Sequence, residues 1–423
     1  MKLILEKYNP AIYILYAIMV LLPFGGTPVV YCIVALLLDF IIQQKWKNLH
    51  GFIDYKNPLV WMTLFYLMIC LSLLWTQNSK SGRFELEQKL SLLIIPIIIY
   101  AHKEKLMLAM DKLMFAFVCS NLFISIFAIV LGINTKINHV LLIDNSSLLP
   151  VYSEFSPFLH VAYFGFYLCI ALIISIYFVR YSSNKIIKIV SVISILFCAV
   201  ALYFSSSKGS FLSLFFMLAC MAVIEFINSK SKLKLGLIYA TVLSLIVFSL
   251  KENPRIYSIK QMVVELIHPE KADPNASSDM SNGQRIYVIK SSIEVIKSNF
   301  WVGVGAGDVI DELEQKYITN NYQVLAKKKL NCHNQFLESF VEMGLLGGFI
   351  FLILNVVAII QSIKNKNQLQ LYFIIGFSII ALTESFLNHQ AGVVFFALFL
   401  SIFSILNKNF LKVHEKNSNH NRS

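Results

Sequence analysis

The chain has 423 residues, 57% of them hydrophobic and only 14% charged, with a mean hydropathy of +0.67. A soluble domain of this size would expose that apolar surface to water, so the composition excludes the soluble classes and points to a multi-pass membrane protein. The net charge of +12 reflects the Lys and Arg that orient membrane helices from the cytoplasmic side. No basic stripe interleaved with aromatics suggests nucleic acid as a partner.

In chain order, apolar runs predict an all-α polytopic bundle of about 12 transmembrane helices. The runs lie near residues 11–25, 28–43, 57–75, 88–101, 105–133, 157–180, 186–204, 209–227, 234–250, 336–361, 369–387 and 391–408, since a span needs about 20 apolar residues. The first, second and fourth are short, and the pair around Gly25-Gly26-Thr27-Pro28 also reads as one broken hairpin. The first run follows Lys2 and Lys7 without a small-residue cleavage site, the pattern of a retained helix rather than a signal peptide.

Alternate loops carry Lys45, Lys47 and Lys56; Lys103 and Lys105; Arg180, Lys185 and Lys188; Lys230, Lys232 and Lys234; Lys364 and Lys366; and the tail lysines. That side is expected to be cytoplasmic. The opposite short loops carry Lys80, Arg83, Lys89, Lys136 and Lys208. The expected organisation is transmembrane helices 1–9 over residues 1–250, an extracytoplasmic loop with amphipathic helices over 251–333, helices 10–12 over 334–408, and a disordered cytoplasmic tail over 409–423. Both termini lie inside in this reading. Six of the seven cysteines fall in predicted spans and only Cys332 in the loop, so no disulfide framework forms there, and no Cys/His spacing suggests a metal.

The first part of the loop is polar and holds Pro254, Pro269 and Pro274, with an exposed turn at Asp273-Pro274-Asn275. Beyond it Ile286, Val288, Ile289, Ile293, Val295 and Ile296 recur at helical spacing. Arg285 therefore opens an amphipathic helix that lies against the membrane surface or the bundle. Asp308–Tyr317 and Tyr322–Leu330 read as two more helices, the last ending in Lys327-Lys328-Lys329, a solvated face or a contact for anionic headgroups or a phosphorylated acceptor. Before these two, Gly303, Gly305 and Gly307 lack the G-x-G-x-x-G spacing of a dinucleotide loop and suit a sharp turn instead.

His333 stands just before the tenth span, with Asn334 placed to cap that helix. An imidazole titrates near neutrality and is the natural acceptor of a hydroxyl proton, although a lone interface histidine is also often structural. Glu338 and Glu342 follow one turn apart, and two carboxylates entering a membrane helix imply a polar cavity. Gly344 and Gly348 make a GxxxG step, for which helix packing is the default reading. Only five arginines accompany 31 lysines, yet Arg83, Arg255 and Arg285 fall on the outer side. Their planar forks suit phosphate, and at interface depth that phosphate would belong to a lipid. His160 and Tyr163, the Ser205–Ser210 turn with Lys208, and Glu384 with His389 and Gln390 lie at the same depth. Lys208 either joins them or snorkels to the headgroups.

The order of these motifs resembles the O-antigen ligase and polymerase superfamily of bacterial cell-surface glycan assembly. The resemblance rests on Arg83-Phe84-Glu85-Leu86-Glu87-Gln88-Lys89-Leu90 with Pro96, Ser206-Ser207-Lys208-Gly209, Arg285, Gly303-Val304-Gly305-Ala306-Gly307, His333-Asn334-Gln335-Phe336-Leu337, Gly344 with Gly347, and Glu384. It implies a GT-C-like bundle in the inner membrane that moves a glycan from undecaprenyl diphosphate to the hydroxyl of a lipid or glycolipid acceptor, with inversion and without a cofactor or metal. The implied catalytic residues are His333, as general base or acceptor-orienting group, and Arg285. Arg83, Lys208 and Arg285 would bind the diphosphate, and His160, Tyr163, Asn334, Glu338 and Glu384 would support them. This chain departs from the family pattern in having Lys208 where relatives usually have Arg and Phe300-Trp301 where they often have Pro. The same family also contains repeat-unit polymerases. A multi-span transporter or flippase is the reading from another class, but such proteins gather ionisable groups near mid-membrane and show internal repeats, neither of which is visible here.

Overall fold

A computed structural model describes residues 9–142, 155–228, 273–275 and 282–406. Every described element is helical. In chain order the α-helices are α1 (Pro10–Leu21), α2 (Thr27–Ile42), α3 (Pro58–Ser72), α4 (Ser79–Lys89), α5 (Ser91–Ala101), α6 (Lys103–Leu142), α7 (Val161–Tyr181) and α8 (Lys185–Ser205). Then follow α9 (Lys208–Asn228), α10 (Asn282–Ser298), α11 (Val309–Thr319), α12 (Gln323–Lys328), α13 (Gln335–Asn365), α14 (Gln368–Ala381) and α15 (Gln390–Ile405). Asparagines start many of them. The side chains of Asn57, Asn78, Asn184, Asn334 and Asn367 each accept from a backbone N–H of the first turn that follows, satisfying donors that a helix start leaves open.

The protein is a membrane-embedded helix assembly, but the expected twelve-span, GT-C-like bundle is not what it contains. Among the described residues five helices are long and apolar enough to cross a bilayer: Lys103–Asn134, Val161–Tyr181, Lys185–Ser205, Lys208–Ile227 and Gln335–Asn365. The runs near 11–25, 28–43, 57–75, 369–387 and 391–408 form shorter apolar helices of 10–17 residues. At about 1.5 Å per residue these reach roughly 15–25 Å, short of the ~30 Å hydrocarbon core. The run near 88–101 divides at Leu90 into the end of polar α4 and the 11-residue α5. Counting apolar residues does not detect where a helix stops. Gly25 and Gly26, both at positive φ, separate α1 from α2, and Leu382-Thr383-Glu384 ends α14 before the 3₁₀ turn Phe386–Asn388. The expected ninth span, Arg255, most of the loop over 251–281 and the tail over 409–423 lie outside the described residues.

The centre of the bundle is α7, buried on every face. Around it Phe117, Tyr167, Phe373, Phe377, Phe395 and Phe399 stack or meet edge to face, arrangements worth about 0.5–1.5 kcal/mol each beyond burial. A second, smaller core joins α10, α11 and α12 through Val288, Val295, Leu313, Tyr317 and Leu325, and meets the start of α13 at Val341. The described helices of residues 282–333 therefore form a packed module.

That module is latched to a break in α13. Gly344 is non-helical (φ 63, ψ −155), and the carbonyls freed there bind the loop instead: Val304 N donates to Val341 O and Gly305 N to Glu342 O, both at 2.9 Å, while Leu345 N donates to Phe300 O at 2.8 Å. The exchange leaves these buried backbone groups paired. It also explains the glycines. A Cβ on Gly303 would sit 2.4 Å from Gly344 N, so the Gly344 step serves a kink and a loop contact, not the helix packing that its GxxxG spacing suggested. Gly303→Ala is expected to destabilise the protein by at least ~1–3 kcal/mol, because φ is +71 and the neighbour is backbone; a thermal unfolding scan in detergent reads this as a lowered midpoint.

Candidate functional site

Five chain segments converge on the turn that follows α14. His333 ends the module one residue before the cap of α13 and lies in the left-handed region at φ 44, a conformation that costs a non-glycine residue about 1–3 kcal/mol and concentrates at functional positions. Its N–H donates to Asn331 Oδ1 at 3.0 Å. Asn334 holds the start of α13, accepting from Phe336 N and Leu337 N at 2.9 and 3.1 Å. The imidazole Nδ1 lies 3.1 Å from Glu384 Oε2.

Arg285, in the first turn of α10, reaches the other oxygen of the same carboxylate. Its Nη2 donates to Glu384 Oε1 at 3.0 Å and its Nη1 to Thr383 O at 3.2 Å. Glu384 thus ties His333 to Arg285, and all three side chains are partly exposed, at 19–31%. Burial alone would push the Glu384 carboxyl up, but the hydrogen bond from His333 and the positive charge of Arg285 outweigh it and hold the group below its ordinary 4.5. A depressed carboxylate contributes its stabilisation fully above its unfolded value and loses it as pH falls through the folded one. The unfolding midpoint of Glu384→Gln is therefore expected to lie below wild type at neutral and weakly acidic pH. The gap should begin to narrow as the pH falls below about 4.5 and close only below the still lower folded-state value, as a paired pH series of melts would record.

Glu338 fastens this turn from the other side. Buried in the first turn of α13, it accepts from Cys332 N at 3.0 Å, Ser385 Oγ at 2.8 Å and Asn388 Nδ2 at 2.8 Å, while Gln335 Oε1 accepts from Leu387 N at 2.7 Å. Tyr163, in the first turn of α7, packs its ring 4.8 Å from Phe386 and 5.5 Å from His389. His160 caps α7 by accepting from Ala162 N, and its exposed ring stands 6.0 Å from that of Tyr163. Burial and the neighbouring His160 depress the His389 imidazole, against the opposing carboxylates of Glu85 and Glu384. Lys208 starts α9 where Gly209 abuts Thr383, the residue whose carbonyl holds Arg285: a Cβ on Gly209 would lie 2.5 Å from Thr383 Oγ1.

The structure thus gathers His333, Arg285, Glu384, Glu338, Asn334, Tyr163 and His160 about one turn, with the start of the Lys208 helix beside it. Arg83 stands apart. It is exposed on α4 and its Nε donates to Ser79 O of its own helix at 3.2 Å. Among the described residues no hydrogen bond ties it to the Glu384 cluster, although α4 reaches the same turn through Gln88 Nε2 donating to Asn388 O.

Two supports escape a reading of the sequence alone. Asp308 accepts from Gln77 N and Asn78 N, both at 2.7 Å, and so binds the glycine run to the start of α4. Lys89 is buried between Glu85 Oε2 at 2.9 Å and both oxygens of Glu342 at 3.1 Å. Glu342 is accordingly neutralised inside the protein rather than lining a cavity with Glu338. The Glu85/Lys89 spacing of four is a legible sign of the first pair, but nothing local announces Glu342 as the second partner.

A family described as O-antigen ligase matches residues 193–352, a range that holds Lys208, Arg285, His333 and Glu338. An uncharacterised protein of Haemophilus influenzae is 29% identical over 187 residues, 41% of this chain and 45% of that protein; the chain thus spans under half the length of this relative. The family match over part of the chain supports its membership in the O-antigen ligase superfamily.

Proposed function

We propose that the protein is a glycosyltransferase that moves a glycan from undecaprenyl diphosphate to an acceptor hydroxyl at the outer face of the cytoplasmic membrane, as a ligase. The observation that carries this reading is the single carboxylate of Glu384 joined to both His333 and Arg285. If Nδ1 donates to Glu384, Nε2 is the nitrogen that accepts a proton. The acceptor hydroxyl gives its proton to Nε2 as its oxygen bonds to the anomeric carbon, and the bond from that carbon to the diphosphate breaks from the opposite face, inverting it. The departing diphosphate gains negative charge. Arg285 offers it a guanidinium fork, and Lys208 at the adjoining helix start adds a point charge, so cationic side chains meet the electrostatic demand without a metal ion.

The site belongs on the outer face in this reading because His333 and Arg285 lie on the module that the lysine distribution places outside, with both termini inside. The test is direct. Purified protein in nanodiscs is supplied with an undecaprenyl diphosphate glycan and candidate acceptors, and the release of undecaprenyl diphosphate is followed. Acceptor-dependent release with one product size is expected. A ladder of products would identify a repeat-unit polymerase of the same superfamily, and no release with any acceptor would overturn the assignment.

A further inference from the structure

Beyond the first turn that carries Arg285, α10 has an inward and an outward side. The inward stripe of α10, Val288, Ser291, Ser292 and Val295, is buried. On the opposite side Ile289, Ile293, Lys290 and Lys297 are exposed, and the helix runs out into Phe300-Trp301-Val302. Trp301 is 71% exposed, an unusual position for an indole unless something apolar covers it. The one acidic residue in this part of the helix, Glu294, is turned away: it pairs with Lys316 at 3.6 Å and accepts from Asn320 at 3.0 Å within the module. The outward face is therefore apolar and purely cationic.

The backbone sets the depth of this face. The break at Gly344 divides α13, and the part from Leu345 to Asn365 is roughly 21 residues, or about 31 Å at 1.5 Å per residue, which matches the ~30 Å hydrocarbon core. Leu345 thus stands at one edge of the core. Leu345 N donates to Phe300 O at 2.8 Å, which puts the Phe300–Val302 turn at that same edge. The patch continues down the span through Leu346, 62% exposed, and Phe349. Phe300 and Trp301 meet edge to face at 5.1 Å, at the level where Trp is enriched in membrane proteins because its ring is apolar and its N–H polar.

We propose that the Ile289/Ile293 face of α10 and the Phe300-Trp301-Val302 turn form a bilayer-docking surface, seated in the headgroup region of anionic phospholipid with Lys290 and Lys297 on the headgroups. The occupant is the lipid surface, because the patch is continuous with the outer face of a membrane-spanning helix and its charge complements acidic headgroups. Docking places Arg285, in the first turn of the same helix, at headgroup depth. It requires no catalytic turnover, and its test reads none.

The chain has four tryptophans. Trp46→Phe, Trp61→Phe and Trp75→Phe together leave Trp301 as the sole indole, and the full chain is placed in phosphatidylglycerol nanodiscs. Blue-shifted emission is expected, most of it lost when the lipids carry bromine near the headgroup end of their chains, with little effect of aqueous iodide. Lys290→Glu with Lys297→Glu should reduce the lipid quenching. Quenching by iodide but not by bromolipid would overturn the proposal. So would protection from both quenchers, the sign of a protein partner or a second copy over the patch. If the triple variant fails to fold, subtracting the emission of Trp301→Phe from that of wild type isolates the same signal, and the same quenching outcomes support or overturn the proposal.

Discussion

His333→Ala is expected to lose about 10²- to 10⁴-fold in glycan transfer, the range for removing a positioned general base, while membrane insertion and the unfolding midpoint hold. Stability should be little affected because the ring is partly exposed and Glu384, its side-chain partner among the described residues, keeps Arg285. The variant also replaces a histidine at φ 44, so His333→Asn, which adopts left-handed backbone more readily, separates the missing base from any change in the turn. Both variants should show the same loss. Arg285→Lys should fall nearly as far as Arg285→Ala, since one ammonium cannot reproduce the fork that spans Thr383 O and Glu384 Oε1. Single-turnover assays at saturating donor read these losses apart from binding. A His333→Ala protein with wild-type turnover would contradict the assignment of the base.

Lys89→Met is expected to produce the largest loss of stability. Lys89 is 2% exposed and Glu342 1%, and the two ends of the pair come from α4 and from the turn of α13 just before its break. Removing the ammonium leaves the Glu342 carboxyl buried without its partner, so that it must hold an uncompensated charge or take up a proton, and breaking a buried pair from one side typically costs about 3–5 kcal/mol. The damage should spread, because Glu342 O is also the acceptor for Gly305 N in the loop latch. Restoring neutrality is the control. Lys89→Met combined with Glu342→Met is expected to recover much of the lost midpoint, because well-packed apolar replacements of both partners are often neutral. The more exposed Glu85, at 21%, can then turn to water. An unchanged midpoint for Lys89→Met alone would show that the ion cluster contributes little.

Membership of the all-α membrane class was legible because it depends on totals: apolar fraction, scarce charge and long runs. The number of crossings was not, because it depends on where helices stop. Gly25-Gly26 and Leu382-Thr383-Glu384 are brief interruptions in apolar surroundings, and helices such as Pro58–Ser72 end before an apolar run does. Within the site, His333 and Arg285 could be singled out as chemistry-bearing residues, and the asparagine at 334 as a cap, since those properties are local. Their meeting at Glu384 could not be read from spacing. It joins positions about 50 and 100 residues apart in sequence, and it depends on the 3₁₀ turn at Phe386–Asn388 and on Glu338 bracing that turn. Arg83 shows the converse: a residue type suited to phosphate whose guanidinium lies on its own helix.

In the proposed reaction a lipid-borne diphosphate rests against Arg285 beside His333. Binding of fluorescent undecaprenyl diphosphate to the protein in nanodiscs reports that contact. Wild type and His333→Ala should bind alike, whereas Arg285→Ala should lose at least about tenfold in affinity, the equivalent of ~1.4 kcal/mol. Equal binding by wild type and Arg285→Ala would contradict the account.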